Sequence, residues 1–97
     1  MSSFQVQPSD VLVVETFFAL YPPLSHLRVR RRGDLLILES GPAEAPRRHA
    51  RLRRVTVHLW RLEMPTSSNR WDLTPFRDQL KVLLEMLVQQ FPWTLAP

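Results

Sequence analysis

Cysteine is absent from this sequence of 97 residues, and glycine and lysine are nearly absent, with two glycines and a single lysine. Without cysteine the chain can form no disulfide, no cysteine-ligated metal site and no thiol nucleophile. Two glycines do not suffice for a glycine-rich loop that cradles phosphate groups. These absences weigh against thiol-dependent enzymes, structural zinc domains and nucleotide-binding loops.

Long hydrophobic runs are also missing. The apolar stretch from Val11 to Tyr21 is interrupted by Glu15 and Thr16, which makes it too short and too polar to span a bilayer. The ten residues before it carry no positive charge, unlike the start of a signal peptide. We therefore expect a cytoplasmic protein with no membrane partner.

What the sequence does contain suits one small folded domain. Hydrophobic residues make up 44% of the chain and charged residues 23%, which is neither a disordered nor a membrane composition. A chain of this length can hide roughly two-thirds of the surface that its unfolded form exposes. We expect a single domain over residues 1–97, with residues 1–7 as a flexible tail.

Charge is distributed unevenly along the chain. Residues 28–61 hold ten arginines against three acids, whereas the remainder holds three basic residues against six acids, for a net charge of +4. Twelve of the thirteen basic residues are arginine. A GC-rich genome or the recognition of phosphate by guanidinium groups would explain this bias. The sequence favours the first cause, because charge runs usually form a solvated face.

The first part of the chain predicts a helix and a β-hairpin. Apolar residues recur at spacings of three and four over residues 9–21, which indicates a helix that ends at Pro22. Two apolar segments, 27–29 and 35–38, flank a turn that contains Gly33. This arrangement is typical of a hairpin, because glycine is free to adopt a positive φ angle.

A second strand region covers residues 50–64, after a loop over residues 40–49. Its apolar alternation slips by one residue between Leu59 and Trp60. A bulge, a strand buried on both faces at one end, and two shorter strands that meet near Thr56 would each explain the slip. The pattern does not choose among these three interpretations.

A turn over residues 65–69 and a short strand over residues 70–73 precede the last helix. Thr74 is a suitable cap, and Pro75 suits the first helical position because its missing N–H is not needed there. The apolar spacing predicts a helix over residues 75–90. The buried face is predicted to contain Phe76, Leu80, Leu83, Leu84 and Leu87.

Together these elements predict an α+β fold, an antiparallel sheet of three to five strands with an N-terminal and a C-terminal helix packed on one face. The element order, with the stretches His49–Val55, Leu59–Leu62, Arg70-Trp71 and Phe91–Trp93, resembles a bacterial family of small domains of unknown function. The resemblance spans residues 10–93. It implies the same fold and a bacterial cytoplasm, but no activity.

No constellation of residues indicates an enzyme. The three histidines, His26, His49 and His58, lack the spacing of metal ligands, and no serine lies in a nucleophile elbow. Glu63 and Asp72 are predicted to face each other across a turn in a surface ion-pair cluster rather than to act as an acid–base pair. We predict no catalytic residue, no cofactor and no metal site.

The face of the sheet away from the helices is the strongest chemical candidate. The predicted anion or nucleic-acid surface consists of His26, Arg28, Arg30, Arg54 and His58, with Trp60 or Trp71 near its edge. Strand alternation would then place Arg31 and Arg53 on the opposite face, which divides the charge. Ion pairs with Asp34, Glu39 and Glu63 would account for the arginines without any ligand, and we expect this second outcome.

Apolar residues beyond the main stripe of the last helix suggest a protein partner. Phe91, Trp93 and Leu95 form the predicted interaction patch, unless Trp93 folds back over its own core. The sequence therefore favours a non-enzymatic binding or assembly domain that meets a protein partner or a second copy as a homodimer. A nucleic-acid-binding module is the alternative.

Overall fold

The computed structural model describes residues 4–66 and 70–97, which form an antiparallel sheet and two α-helices. The predicted α+β fold is confirmed. In chain order the elements are α1 (Pro8–Leu20), β1 (Arg28–Arg32), β2 (Leu35–Ser40), β3 (Arg47–Arg54), β4 (Trp60–Pro65), β5 (Trp71–Asp78) and α2 (Leu80–Gln90), with short 3₁₀ turns at Pro22–Leu24 and Pro92–Leu95.

The five strands pair in the order of the chain, each antiparallel to the next. Helix α1 packs against β1 and α2, and α2 packs against β4 and β5. Both helices therefore cover one face, and the opposite side of the sheet is called the open face below. Within the described residues, no helix is long and apolar enough to cross a membrane.

The core lies between the helices and the sheet. Leu36, Leu52 and Leu62 stand opposite one another on β2, β3 and β4, and all three are fully buried. Leu83 and Leu87 of α2 close the core from above. Strand alternation produces this layer, because every second side chain points toward the helices.

Within the predicted tail, residues 4–7 make specific contacts, although Phe4, Gln5 and Gln7 are exposed. Val6 is buried, and its N–H donates a hydrogen bond to the carbonyl of Gly33. The N–H of Gln7 donates to the Asp10 carboxylate at 2.8 Å, which fixes the start of α1 at Pro8. The remainder of the predicted tail, residues 1–3, lies outside the described residues.

The structure confirms one of the three interpretations of residues 50–64, namely two shorter strands that meet near Thr56. A tight turn joins β3 to β4, and the N–H groups of Val55 and Thr56 both donate to the carbonyl of Leu59. The Thr56 hydroxyl accepts a hydrogen bond from the Leu59 N–H at 3.1 Å. A threonine side chain thus completes a turn that contains neither glycine nor proline.

The predicted start of the last helix is wrong. Residues 74–78 belong to β5, and α2 begins only at Leu80. Between the pairs Arg61–Arg77 and Glu63–Leu73, β5 carries two extra residues, so Thr74, Pro75 and Phe76 form a bulge. The last strand of the sheet tolerates a proline there, because a bulge at an edge needs no ladder N–H.

The buried face of the last helix is otherwise as predicted. Leu80, Leu83, Leu84 and Leu87 are buried, whereas Phe76 packs half-buried from the strand. The predicted loop before β3 is shorter, because the flanking strands extend to Ser40 and from Arg47. Of the predicted turn over residues 65–69, Ser67 to Asn69 lie outside the described residues.

Candidate ligand-binding surfaces

The five residues predicted to form an anion surface do not come together. Arg28 and Arg30 lie on the open face, but His58 lies in the β3–β4 turn. His26 donates from Nε2 to the carbonyl of Leu95, at 2.6 Å, near the C-terminal end of the chain. The predicted surface is therefore corrected to a different set of arginines.

Arg54 lies on the helix side of the sheet. Its Nη1 donates to the Asp10 carboxylate at 2.9 Å and to the carbonyl of Gln5 at 3.0 Å. Its guanidinium lies 5.3 Å from the ring centre of Trp60, which is buried in the core rather than near an open edge. Arg54 thus fastens the start of α1 to the sheet.

The open face holds eight of the twelve arginines of the chain. Strand pairing places them on one side, because residues directly opposite each other share a face. They are Arg28, Arg30, Arg32, Arg48, Arg51, Arg53, Arg61 and Arg77. Alternation does place Arg31 opposite to Arg30 and Arg53 opposite to Arg54, as predicted, but the division is uneven because most of the arginines lie on the open face.

Four of these arginines lie in a single line across the sheet, which we call the arginine row. Successive strands pair Arg32 with Leu35, Leu35 with Arg53, Arg53 with Arg61, and Arg61 with Arg77. The row reaches from one edge strand to the other. Like charges directly opposite each other are destabilising, so the row needs compensating anions.

Part of that compensation is a carboxylate buried beneath the arginines. Glu63 has no exposed surface, and its oxygens accept hydrogen bonds from Arg51 at 2.5 Å, Arg53 at 2.9 Å and Arg61 at 3.2 Å. Burial alone raises the pKa of Glu63, but the hydrogen bonds from Arg53 and Arg51 outweigh it and hold the pKa below its usual range. Glu63 is therefore a permanent anion at neutral pH.

A second buried carboxylate, Glu39 on β2, pairs with two arginines of β1 on the open face. Glu39 is 3% exposed and pairs with Arg28 and Arg30, each at 3.3 Å. Arg53 also reaches Asp34 at 2.9 Å. The predicted ion pairs with Asp34, Glu39 and Glu63 are thus present.

Asp72 does not face Glu63, contrary to the prediction. The register pairs Glu63 with Leu73 and Asp72 with Met64, so the two acids point to opposite sides of the sheet. Trp71 is the aromatic residue of the open face, and the Arg51 guanidinium lies 4.4 Å from its ring centre. A shallow groove of about 380 Å³ runs beside this pair.

The three residues of the predicted interaction patch differ in their exposure to solvent. Leu95 is buried in the core, and Phe91 is half-buried against Phe76, with ring centres 5.8 Å apart. Trp93 remains 68% exposed and contacts only the edge of Phe91 among the aromatic rings described. The side chain of Trp93 therefore does not fold back over the core.

The outer side of α1 is an apolar surface that the sequence analysis did not single out. Leu12 is 62% exposed and Leu20 is 72% exposed, with Val13 between them also exposed. These residues line a groove of about 460 Å³ that Lys81 of α2 borders. A helix that is apolar on all sides is usually buried on all sides. Because the sequence of α1 is apolar on all sides, it indicates that the outer side of α1 is covered as well.

Ser40 and His49 form a hydrogen-bonded pair within the core. The Ser40 hydroxyl and His49 Nε2 lie 2.7 Å apart, and Nδ1 donates to the Thr94 carbonyl at 2.8 Å. Burial lowers the pKa of His49, against the opposing effect of the Thr94 hydrogen bond. Because both side chains are buried, this pair fastens the C-terminal segment rather than meeting a substrate.

Residues 4–66 and 70–97 contain no group of three potential metal ligands.

Comparisons with protein-family models, with curated proteins and with solved structures each find no match to this chain. The resemblance to a bacterial family of small domains therefore stays a prediction.

Proposed function

We propose that this chain is a non-enzymatic assembly domain that forms a homodimer through the outer side of α1. The observation that carries the proposal is the exposure of Leu12 and Leu20 on a helix whose other side is already buried. Contiguous apolar surface of this kind is typical of protein interfaces. Each leucine would contribute roughly 1.5–3 kcal/mol if a partner removed it from water.

The spacing of the two leucines favours a second copy as the partner. Leu12 and Leu20 lie at equal distances from Thr16, which is exposed between them. In an antiparallel pair of α1 helices with the symmetry axis at Thr16, Leu12 of one copy meets Leu20 of the other. Such self-complementarity is what a two-fold interface requires.

The charge distribution is compatible with that arrangement. The arginines of the open face lie on the side of the sheet away from the helices. Among the residues that line the apolar groove, Lys81 carries the charge, and Glu15 is an exposed acid on α1. A dimer through α1 therefore keeps the two cationic faces apart.

Sedimentation equilibrium over a range of concentrations tests the proposal. We expect a dimer whose dissociation constant rises at least about 100-fold in the double variant Leu12→Gln/Leu20→Gln, because glutamine keeps helix propensity but removes apolar contact. Leu73→Gln is the matched control, since Leu73 is 61% exposed but lies on the open face. A wild-type chain that stays monomeric at high concentration would refute the proposal.

A further inference from the structure

We infer that the open face is a binding surface for single-stranded nucleic acid, whose phosphates lie along the arginine row that crosses all five strands. The row places Arg32 and Arg77 on the two edge strands and Arg53 and Arg61 between them. Adjacent strands lie about 4.8 Å apart, so the row spans about 19 Å. The inference does not depend on dimerisation through α1.

The balance of charge on this face calls for an external anion. The seven arginines of this face other than Arg48 oppose three acids, Asp34, Glu39 and Glu63, which leaves a surplus of four positive charges among these described residues. The outer members of the row, Arg32 and Arg77, are exposed and have no ion pair with any residue that the structure describes. A polyanion that lies along the row would relieve this repulsion and release counterions.

The buried carboxylates prepare the arginines for a ligand. Glu63 receives hydrogen bonds from Arg51, Arg53 and Arg61 and holds their side chains flat over the sheet. Each guanidinium has five N–H donors, and Glu63 receives only one from each of these arginines. The remaining donors are held on ordered side chains, which lowers the entropic cost of binding phosphate.

Two side chains of β5 beside the arginine row favour nucleic acid over an acidic peptide. The next line across the sheet runs from Arg30 through Ile37, Arg51 and Glu63 to Leu73, with Trp71 beside Leu73 on β5. Trp71 is half-buried under the guanidinium of Arg51, and Leu73 is exposed. Bases can stack on such planar and apolar groups while the phosphates remain on the arginines. The carboxylates of an acidic peptide would contact the arginines but not these apolar groups.

Fluorescence anisotropy with labelled oligothymidylate of about 12 nucleotides tests this inference. We expect sub-micromolar affinity at about 0.15 M salt and a steep linear fall of log affinity with log salt. The double variant Arg32→Gln/Arg77→Gln should reduce that slope by about 1.4 units, because each lost phosphate contact to a single strand lowers the slope by roughly 0.7. Neither residue touches the buried carboxylates, so the fold should persist, which circular dichroism checks.

The control is Arg31→Gln/Arg47→Gln, which removes the same charge from exposed arginines that strand pairing places on the helix side. This variant should leave the slope within about half a unit of the wild-type value. Equal losses in the two double variants would overturn the inference, because net charge alone would then explain binding. Tighter binding to a matched duplex or to polyglutamate, or affinity no better than about 10⁻⁴ M, would also overturn it.

Discussion

Glu63 is a carboxylate that is fully buried on a face of the sheet that no helix covers. Three arginine side chains, with exposed fractions of 18–31%, form its cover instead of an apolar layer. Removing a carboxylate from water is costly, and charge-assisted hydrogen bonds must offset that cost. The side chains of the open face are therefore ordered by one central anion.

Replacing Glu63 should destabilise the protein strongly at neutral pH. Glu63→Gln removes the charge, which leaves Arg51 and Arg61 without their anion and Arg53 with Asp34 alone, for an expected loss of about 3 kcal/mol in the free energy of unfolding. Urea denaturation followed by tryptophan fluorescence measures the loss. Glu44→Gln, which replaces an exposed acid, should change the free energy by less than about 0.5 kcal/mol.

The same variant should also change the acid sensitivity of the fold. Because the folded pKa of Glu63 lies below its unfolded value of 4.5, its contribution is complete above that value and is lost as the pH falls through the folded pKa. The wild-type protein should therefore lose more stability than Glu63→Gln below pH 4.5. Parallel pH profiles for the two proteins would contradict this account.

Arg53 and Arg54 are adjacent in the chain and have different roles. Arg53 pairs with Glu63 and Asp34 on the open face, whereas Arg54 pairs with Asp10 beneath α1. Alternation predicts that neighbours face opposite ways, but it does not say which way. The apolar residues Val55 and Val57 lie in the turn after β3 and not in the strand, so they do not indicate which of the two arginines points inward, and the sequence prediction placed them on the wrong faces.

At the scale of elements, the limits of sequence interpretation lie where local preference and sheet pairing compete. Thr74-Pro75 is a good helix start by every local criterion. The Thr74 hydroxyl instead donates to the carbonyl of Leu62 at 2.7 Å, and the segment extends the sheet as a bulge. The strong apolar spacing of Leu80 to Leu87 was predictable, because that spacing itself produces the buried face.

The C-terminal 3₁₀ turn is fastened to β3 by contacts that no local pattern encodes. His49 Nδ1 donates to the Thr94 carbonyl, and the Thr94 hydroxyl donates to the His49 carbonyl at 2.9 Å. These residues are 45 positions apart in the chain. The β2–β3 register shift frees His49 for this contact, since β3 has one extra residue between Arg48 and Ala50.

Removing the hydroxyl of Thr94 should therefore loosen the C-terminal turn. Thr94→Val keeps the shape but leaves the His49 carbonyl without its donor, which should lower the free energy of unfolding by about 1–2 kcal/mol. Hydrogen exchange of the Ala96 amide, which bonds the Trp93 carbonyl, should speed up as well. Thr94→Ser retains the donor and should restore most of the stability, and an equal loss in both variants would show that the methyl group matters instead.

At the scale of the whole molecule, the two proposed surfaces lie on opposite sides of the sheet. The outer side of α1 lies above the sheet and the arginine row lies below it, and the shortest dimension of the molecule is 27 Å. A dimer through α1 therefore presents two arginine rows that face outward.

If both proposals hold, the dimer should bind long single strands more tightly than short ones. A flexible strand of about 60 nucleotides can engage both rows, and the second contact then benefits from a high effective concentration. A strand of about 12 nucleotides can engage only one row. Leu12→Gln/Leu20→Gln, which disrupts the α1 surface without touching an arginine, should weaken binding of the long strand at least about 10-fold and leave the short strand unaffected.

Anisotropy titrations with both strands, at protein concentrations above and below the dimer dissociation constant, measure this difference. Leu73→Gln does not serve as the control here, because Leu73 lies on the open face. Trp93→Gln is suitable, since Trp93 is 68% exposed in the C-terminal 3₁₀ turn and belongs to neither proposed surface. If the α1 variant weakened binding of the long and the short oligonucleotide equally, the bivalent arrangement would be contradicted. Such a result would mean that α1 supports the arginine row itself rather than a second copy.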